Sequence, residues 1–197
     1  PSHTFVVFVQ KGNRTAFRFD APNLQVVEHP AIGSAYLRVI YEQAVLPLAI
    51  RRLNLDILHC PGNFSVLFSR IPTVLTIQMT PQLLAAPELM HGTSLTSLLT
   101  NKLMALSART ATLMTTVSHG AKREVMKRFK TPSDRVVPIY HGGASPRFRP
   151  HQTEVNPLTQ YGVHGSYILS VSSVYAYKNY CRLLEAFGIL RRGYGGR

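Results

Sequence analysis

Short apolar runs and amphipathic segments alternate along this chain. Thr4 to Gln10 (TFVVFVQ) is β-branched and aromatic, the pattern of a buried strand. Lys11 to Arg14 reads as a turn, and Leu24 to Glu28 (LQVVE) as a second strand stopped by His29 and Pro30. From Ala35 to Leu53, the residues Leu37, Ile40, Tyr41, Ala44, Leu48 and Arg51 recur near helical spacing, and Pro47 kinks or splits that helix. Asn54 to His59 (NLDILH) predicts a third strand, running into a Cys60-Pro61-Gly62-Asn63 loop. Thr73 to Gln78 (TVLTIQ), between Pro72 and Pro81, is the strongest strand in the chain. Met79 to Thr96 is irregular and predicts a long functional loop with one or two helical turns. Leu98 to Ala111 predicts a helix with Leu99, Leu103, Leu106 and Thr110 as its apolar stripe.

The stretch from Leu113 to Arg149 organises the rest. Leu113 to Val117 is an apolar run that ends at Ser118, and a basic amphipathic segment follows to Lys130. After a turn at Thr131 to Asp134 come a second apolar run, Val136 to Tyr140, and the pair Gly142-Gly143. This is strand, helix, strand and loop, the βαβ unit of a parallel sheet, so the fold class is α/β. Ser118 sits where its hydroxyl would accept an orphan N–H of the helix. Ligands collect at the carboxyl ends of such strands.

Pro150 to Gly165 is polar and rich in Gly and Pro, an interdomain linker by composition. Tyr167 to Ser172 (YILSVS) then predicts a strand, and Lys178 to Arg192 a helix with Leu183, Leu184, Phe187 and Leu190 as its apolar face. One strand and one helix make no sheet, so residues 166–197 read as the start of a second α/β domain. The resulting division is 1–149, linker 150–165, and 166–197.

Composition changes the picture in one respect. Hydrophobic residues are 45% of the 197, enough for a core, and no apolar run approaches the ~20 residues of a membrane span. The first ten residues lack a signal peptide's basic start and cleavage site. Lys and Arg number 22 against 9 Asp and Glu, a net charge of +13. Such a surface attracts nucleic acid, anionic lipid or nucleotide phosphates. Arg123, Lys127 and Lys130 share one helical face, opposite Ala121, Val125 and Phe129. They suit an anionic surface, and equally a solvated outer helix. Cys60 and Cys181 have no metal-ligand spacing, and two reduced thiols in the cytoplasm are expected. His59, His119 and His141 fall at predicted strand ends, but without paired spacing or a neighbouring carboxylate, so no metal is expected.

In chain order, several segments carry a resemblance. They are Asp56-Ile57-Leu58-His59 with its Pro-Gly loop, Thr73 to Met79 followed by Pro87-Glu88, and Thr116-Val117-Ser118 with Ala121-Lys122-Arg123-Glu124. Val136 to Phe148 is the next, and Tyr167 to Val171 with Lys178-Asn179 and Leu184 to Phe187 closes the series. The chain resembles the family-four (group 1) glycosyltransferases of the two-Rossmann-domain, GT-B type. The resemblance implies a Rossmann-like acceptor-side domain whose first strand precedes Thr4, joined to the start of a nucleotide-sugar domain. It implies transfer of a sugar from a nucleotide sugar to a glycan or lipid-linked acceptor, with retention. The protein would be cytoplasmic, or peripheral at the inner membrane face on an anionic surface, and would use no nucleic acid. A basic nucleic-acid-binding module and a GT-B nucleotide-sugar epimerase are the alternatives.

The departures are specific. Gln78 stands where the family has His, Met79 where it has Asp, His141 where it has Asn, and Ser172 where it often has Arg. The family's pair of donor-contacting glutamates would lie beyond Arg197, so this stretch alone is expected to be inactive. The resemblance puts Gln78 at the catalytic position, where Gln bonds a sugar hydroxyl but takes no proton; a strand-end Gln satisfying loop backbone reads equally well. Lys178, Asn179, Ser172 and Ser173 are the donor-binding candidates, since an ammonium and free helix amides suit a diphosphate. An exposed Lys at a helix start is the plain alternative. His59, Asn63, Ser118, His119, Gly142 and Gly143 are the acceptor and cleft candidates, the glycines letting backbone approach a ligand or simply turning the chain.

Overall fold

The computed structural model describes residues 3–13, 21–78, 94–143 and 158–193. The chain divides into two compact units, Pro1–Leu58 with Val66–Pro72, and His59–Ser65 with Thr73–Arg197.

In the first unit, strand β1 (Phe5–Gln10) pairs in parallel with β2 (Leu24–His29), from Phe5 opposite Leu24 to Gln10 opposite His29. Helices α1 (Ala35–Ala44) and α2 (Leu46–Arg52) pack on one another. Pro47 does split the expected helix. It lies in the first turn of α2, where its missing N–H has no intrahelical partner to lose. The strand expected from Asn54 starts later, because the Leu53 N–H closes α2 on the Ala49 carbonyl and Asn54 takes a left-handed φ of 48°. Asn tolerates that conformation, and it turns the chain away from an extended path. The strand β3 is Leu58–Cys60.

The second unit is built on a four-stranded sheet of order β3, β4 (Thr73–Ile77), β5 (Leu113–Thr116) and β6 (Val136–Pro138). Strands β4, β5 and β6 run parallel, with Thr76 opposite Thr115 and Thr115 opposite Val137. Helices α3 (Ser94–Thr110) and α4 (His119–Phe129) supply the crossovers that parallel neighbours need. Helix α3 packs on β4 and α4, and α4 packs on β5 and β6, so both helices cover one face of the sheet. Leu75, Ile77, Met104, Met114, Val125 and Val136 are buried between them. Parallel sheets flanked by helices make this an α/β, Rossmann-like fold.

Further expectations are corrected. Helix α3 does not bury its leucine stripe. Met104, Ser107 and Ala108 are buried, while Leu99 and Leu106 are each 46% exposed and Thr110 is exposed. Small side chains let this helix approach closely, and the Ser107 hydroxyl accepts the Ser65 N–H at 3.0 Å. Tyr167 to Ser172 forms no strand, and Ile168, Leu169 and Val171 are at least two-thirds exposed. A strand is defined by its ladder, and among the described residues no neighbour pairs with this segment. Strand β6 stops at Pro138, short of Tyr140; its last bond to β5 runs from the Ile139 N–H to the carbonyl of Thr116, at 2.7 Å, where β5 itself ends. The helix after the linker is α5 (Tyr180–Gly193), preceded by a 3-10 turn at Ala176–Lys178. The loop expected at Met79 to Thr96 lies outside the described residues up to residue 93, and Ser94 already belongs to α3. Met79, the Pro87-Glu88 pair, Phe148, Arg149 and linker residues 150–157 also lie outside them.

Candidate functional site

The carboxyl ends of β3, β4, β5 and β6 line up along one edge of the sheet. Alternation places Leu75 and Ile77 on the covered face of β4, which turns Thr76 to the other face. There the Thr76 hydroxyl lies 2.8 Å from Nε2 of His59 and 2.7 Å from the hydroxyl of Thr115. The three groups form one polar row across β3, β4 and β5. Each hydroxyl both donates and accepts, so the row carries a hydrogen bond in either sense according to the imidazole tautomer.

At the tip of β4, the loop after β3 is tied down. The Asn63 N–H donates to the Thr76 carbonyl at 3.0 Å. The Asn63 side-chain oxygen accepts the backbone N–H of Gln78 at 2.8 Å, and the Gln78 carboxamide donates to the Pro61 carbonyl at 2.8 Å. Asn63 holds a left-handed φ of 65° throughout. His59, Asn63 and Gln78 are therefore one assembly, and the Gln78 amide group supports loop backbone.

Beyond β5 the Ser118 hydroxyl accepts the Ala121 N–H at 3.0 Å, capping α4. His119 opens α4 and Tyr140 lies just after β6, their rings 6.0 Å apart and tilted by 57°. Gly142 and Gly143 are exposed, neither has a left-handed φ, and a Cβ on either would meet nothing within 4 Å. Neither is needed to turn the chain, and the backbone there stands open. His141 is exposed beside them. Among the described residues no three His, Cys, Asp or Glu side chains gather closely enough to hold a metal ion.

A second group lies between residues 172 and 180. The Tyr180 hydroxyl donates to the Ser172 carbonyl at 3.2 Å, and the Tyr175 N–H to the Ser173 carbonyl at 2.9 Å. Tyr175 and Tyr177 stack 5.8 Å apart, and the Lys178 ammonium sits 4.7 Å over the Tyr177 ring. Lys178 ends the 3-10 turn, and Asn179, with a φ of 60°, leads into α5. No acid occupies the first turn of α5 to offset the positive end of its dipole.

Residues 2–142 match the family model of Glycosyltransferase Family 4. The chain belongs to this family. No curated protein sequence matches it. It is a glycosyltransferase domain, and the substrates of such a domain are a sugar donor and an acceptor. His59, Asn63, Gln78, Ser118, His119 and Gly142 all fall inside the matched stretch of the glycosyltransferase; Gly143 directly follows it, and the Lys178 group lies beyond. Thr76, Thr115 and Tyr140 complete the strand-end assembly and were not legible as site residues. A signal was present for Thr76, a polar residue at a half-buried position inside an apolar strand.

The cap gives a direct test in this glycosyltransferase. Ser118→Ala leaves one helix N–H of α4 without its acceptor, and is expected to cost about 1 kcal/mol of stability. Ser118→Asp should restore most of it, read by urea denaturation of the three proteins.

Proposed function

We propose that the protein transfers a sugar, with retention of configuration, from a nucleotide-sugar donor to an acceptor hydroxyl on a glycan or lipid-linked glycan. The bond from the sugar's anomeric carbon to the diphosphate oxygen breaks. A bond from that carbon to the acceptor oxygen forms, and the acceptor proton passes to the departing phosphate. On this reading residues 1–149 form the acceptor side and residues 166–197 open the donor domain.

One observation carries the donor assignment. Lys178 presents an exposed ammonium immediately ahead of the N-terminus of α5, whose first turn contains no acid. A leaving diphosphate develops negative charge, and an ammonium with free helix amides stabilises it without a metal ion. Asn179 and the Ser172 and Ser173 hydroxyls stand beside that position in the chain. On the acceptor side, the His59–Thr76–Thr115 row offers hydrogen bonds to sugar hydroxyls. Gln78 acts as a positioning residue, because its amide group holds the Pro61 carbonyl.

In the full-length protein, Lys178→Ala is expected to weaken nucleotide-sugar binding about twentyfold, the effect of one charge-assisted hydrogen bond. Calorimetric titration with uridine- and guanosine-diphosphate sugars measures it. Donor affinity unchanged by the substitution would overturn the assignment.

A further inference from the structure

The correction at α3 has a chemical consequence. With Met104, Ser107 and Ala108 turned to the sheet, the opposite face of the helix presents Leu99, Lys102, Leu106 and Arg109, spaced three, four and three residues apart. Helix α4 lies beside α3 on the same face of the sheet. It buries Ala121 and Val125 inward, so Arg123 and Lys127 point outward alongside the α3 stripe. Helix α3 contains no acid, and Glu124 is the single one in α4.

Two large exposed leucines framed by four cations on adjacent helices do not suit water alone. We propose that the outer face of α3 and α4 docks on an anionic lipid bilayer, Leu99 and Leu106 entering the interface and the four cations meeting lipid phosphates. Charge complementarity selects this occupant. A second copy of the chain would bring the same cations face to face, and like charges in contact oppose association. Nucleic acid would engage the cations through its phosphates but leave the leucines unused. A bilayer surface takes both, with lysine and arginine stems lying along apolar surface while their heads reach the phosphates. Among the described residues no helix is long and apolar enough to cross a membrane, so the contact described is lateral docking. That docking would present the acceptor side to a lipid-linked acceptor rests on the transfer reading above; the docking itself does not.

Flotation of the chain with vesicles, in the absence of any sugar donor, tests the proposal. The chain should bind vesicles of phosphatidylcholine and phosphatidylglycerol, and not phosphatidylcholine alone. Arg123→Gln combined with Lys127→Gln should weaken binding about thirtyfold, at roughly one factor of five per cation. Leu99→Gln combined with Leu106→Gln should weaken it about tenfold or more at unchanged charge. All four positions are on the helix surface, and circular dichroism confirms that each variant is folded. Equal binding to both vesicle types would overturn the proposal. So would full retention of binding in the leucine pair, which indicates a purely electrostatic surface of the kind nucleic acid uses. Dimerisation that the leucine substitutions abolish would also overturn it, making the face an interface between copies. Because no step of the assay reads transfer or donor affinity, its failure leaves the Lys178 assignment standing, and the reverse holds.

Discussion

Leu75→Ala is expected to lower the free energy of unfolding by about 4 kcal/mol, and the melting temperature by roughly 10 °C. Leu75 has no solvent exposure and sits in β4, flanked in the sheet by β3 and β5 and covered by α3. Truncation removes three carbons' worth of burial and leaves a cavity. Strands paired on both sides and a helix anchored by the Ser107–Ser65 bond resist collapsing into it. Val74, one residue earlier and half-buried, provides the contrast. Val74→Ala should cost about 1 kcal/mol, since water can enter the space it leaves. Urea denaturation measures both, and an unchanged m-value would show that the native and unfolded states keep their compactness. Similar losses at the two positions would mean that the covered face is not the core of this unit.

The elements that were legible in the sequence are those fixed by near neighbours. The strands β1, β2, β4 and β5 announce themselves as apolar β-branched runs, because strands buried in parallel sheets need such runs regardless of partners. Ser118 was legible as a cap because capping is settled within three residues, and the split at Pro47 because proline acts locally. The packed face of α3 was not legible. Periodicity finds leucines, but close contact between helix and sheet selects Met104, Ser107 and Ala108 for their size and shape, and only the opposing surface determines that choice. The start of β3 differs from the expected one because Asn54 fits an alternating pattern in the sequence but takes a left-handed φ of 48° just after Leu53 closes α2. Tyr167 to Ser172 has the composition of a strand, but composition does not supply a ladder.

The site divides along the same line. His59, Asn63, Gln78 and Ser118 were legible as strand-end residues, since position in a βα unit predicts where ligands bind. The row from His59 through Thr76 to Thr115 was not. Its members are 17 and 39 residues apart, and only the inter-strand register brings them within hydrogen-bond distance. Gln78 stands at the carboxyl end of the strongest strand, and its side-chain amide is committed to the Pro61 carbonyl, as expected of a strand-end Gln that satisfies loop backbone.

Asn63→Ala is expected to cost about 2.5 kcal/mol, and to reduce acceptor-side activity by more than it reduces donor affinity. Two losses add. The Gln78 backbone N–H loses its acceptor at 2.8 Å, worth about 1 kcal/mol. Alanine must also hold a left-handed φ of 65°, which costs roughly 1–2 kcal/mol for a residue with a Cβ and no local side-chain hydrogen bond. Three variants separate these terms by urea denaturation. Asn63→Asp keeps the acceptor and most of the conformational tolerance, and should stay within about 0.5 kcal/mol of the parent. Asn63→Gly tolerates the φ but lacks the acceptor, and should lose only the hydrogen-bond share, about 1 kcal/mol. Gln78→Ala releases the Pro61 carbonyl while leaving the Gln78 N–H in place, so it should couple to Asn63→Ala by about 1 kcal/mol through the shared loop. Kinetics supply the functional readout. If the loop positions His59 for an acceptor hydroxyl, Asn63→Ala should raise the acceptor KM severalfold while nucleotide-sugar affinity, assigned to Lys178, stays at the parent value. Additive stabilities, with both substrates affected alike, would show that the tie supports only the fold of the strand end and that the acceptor is held elsewhere.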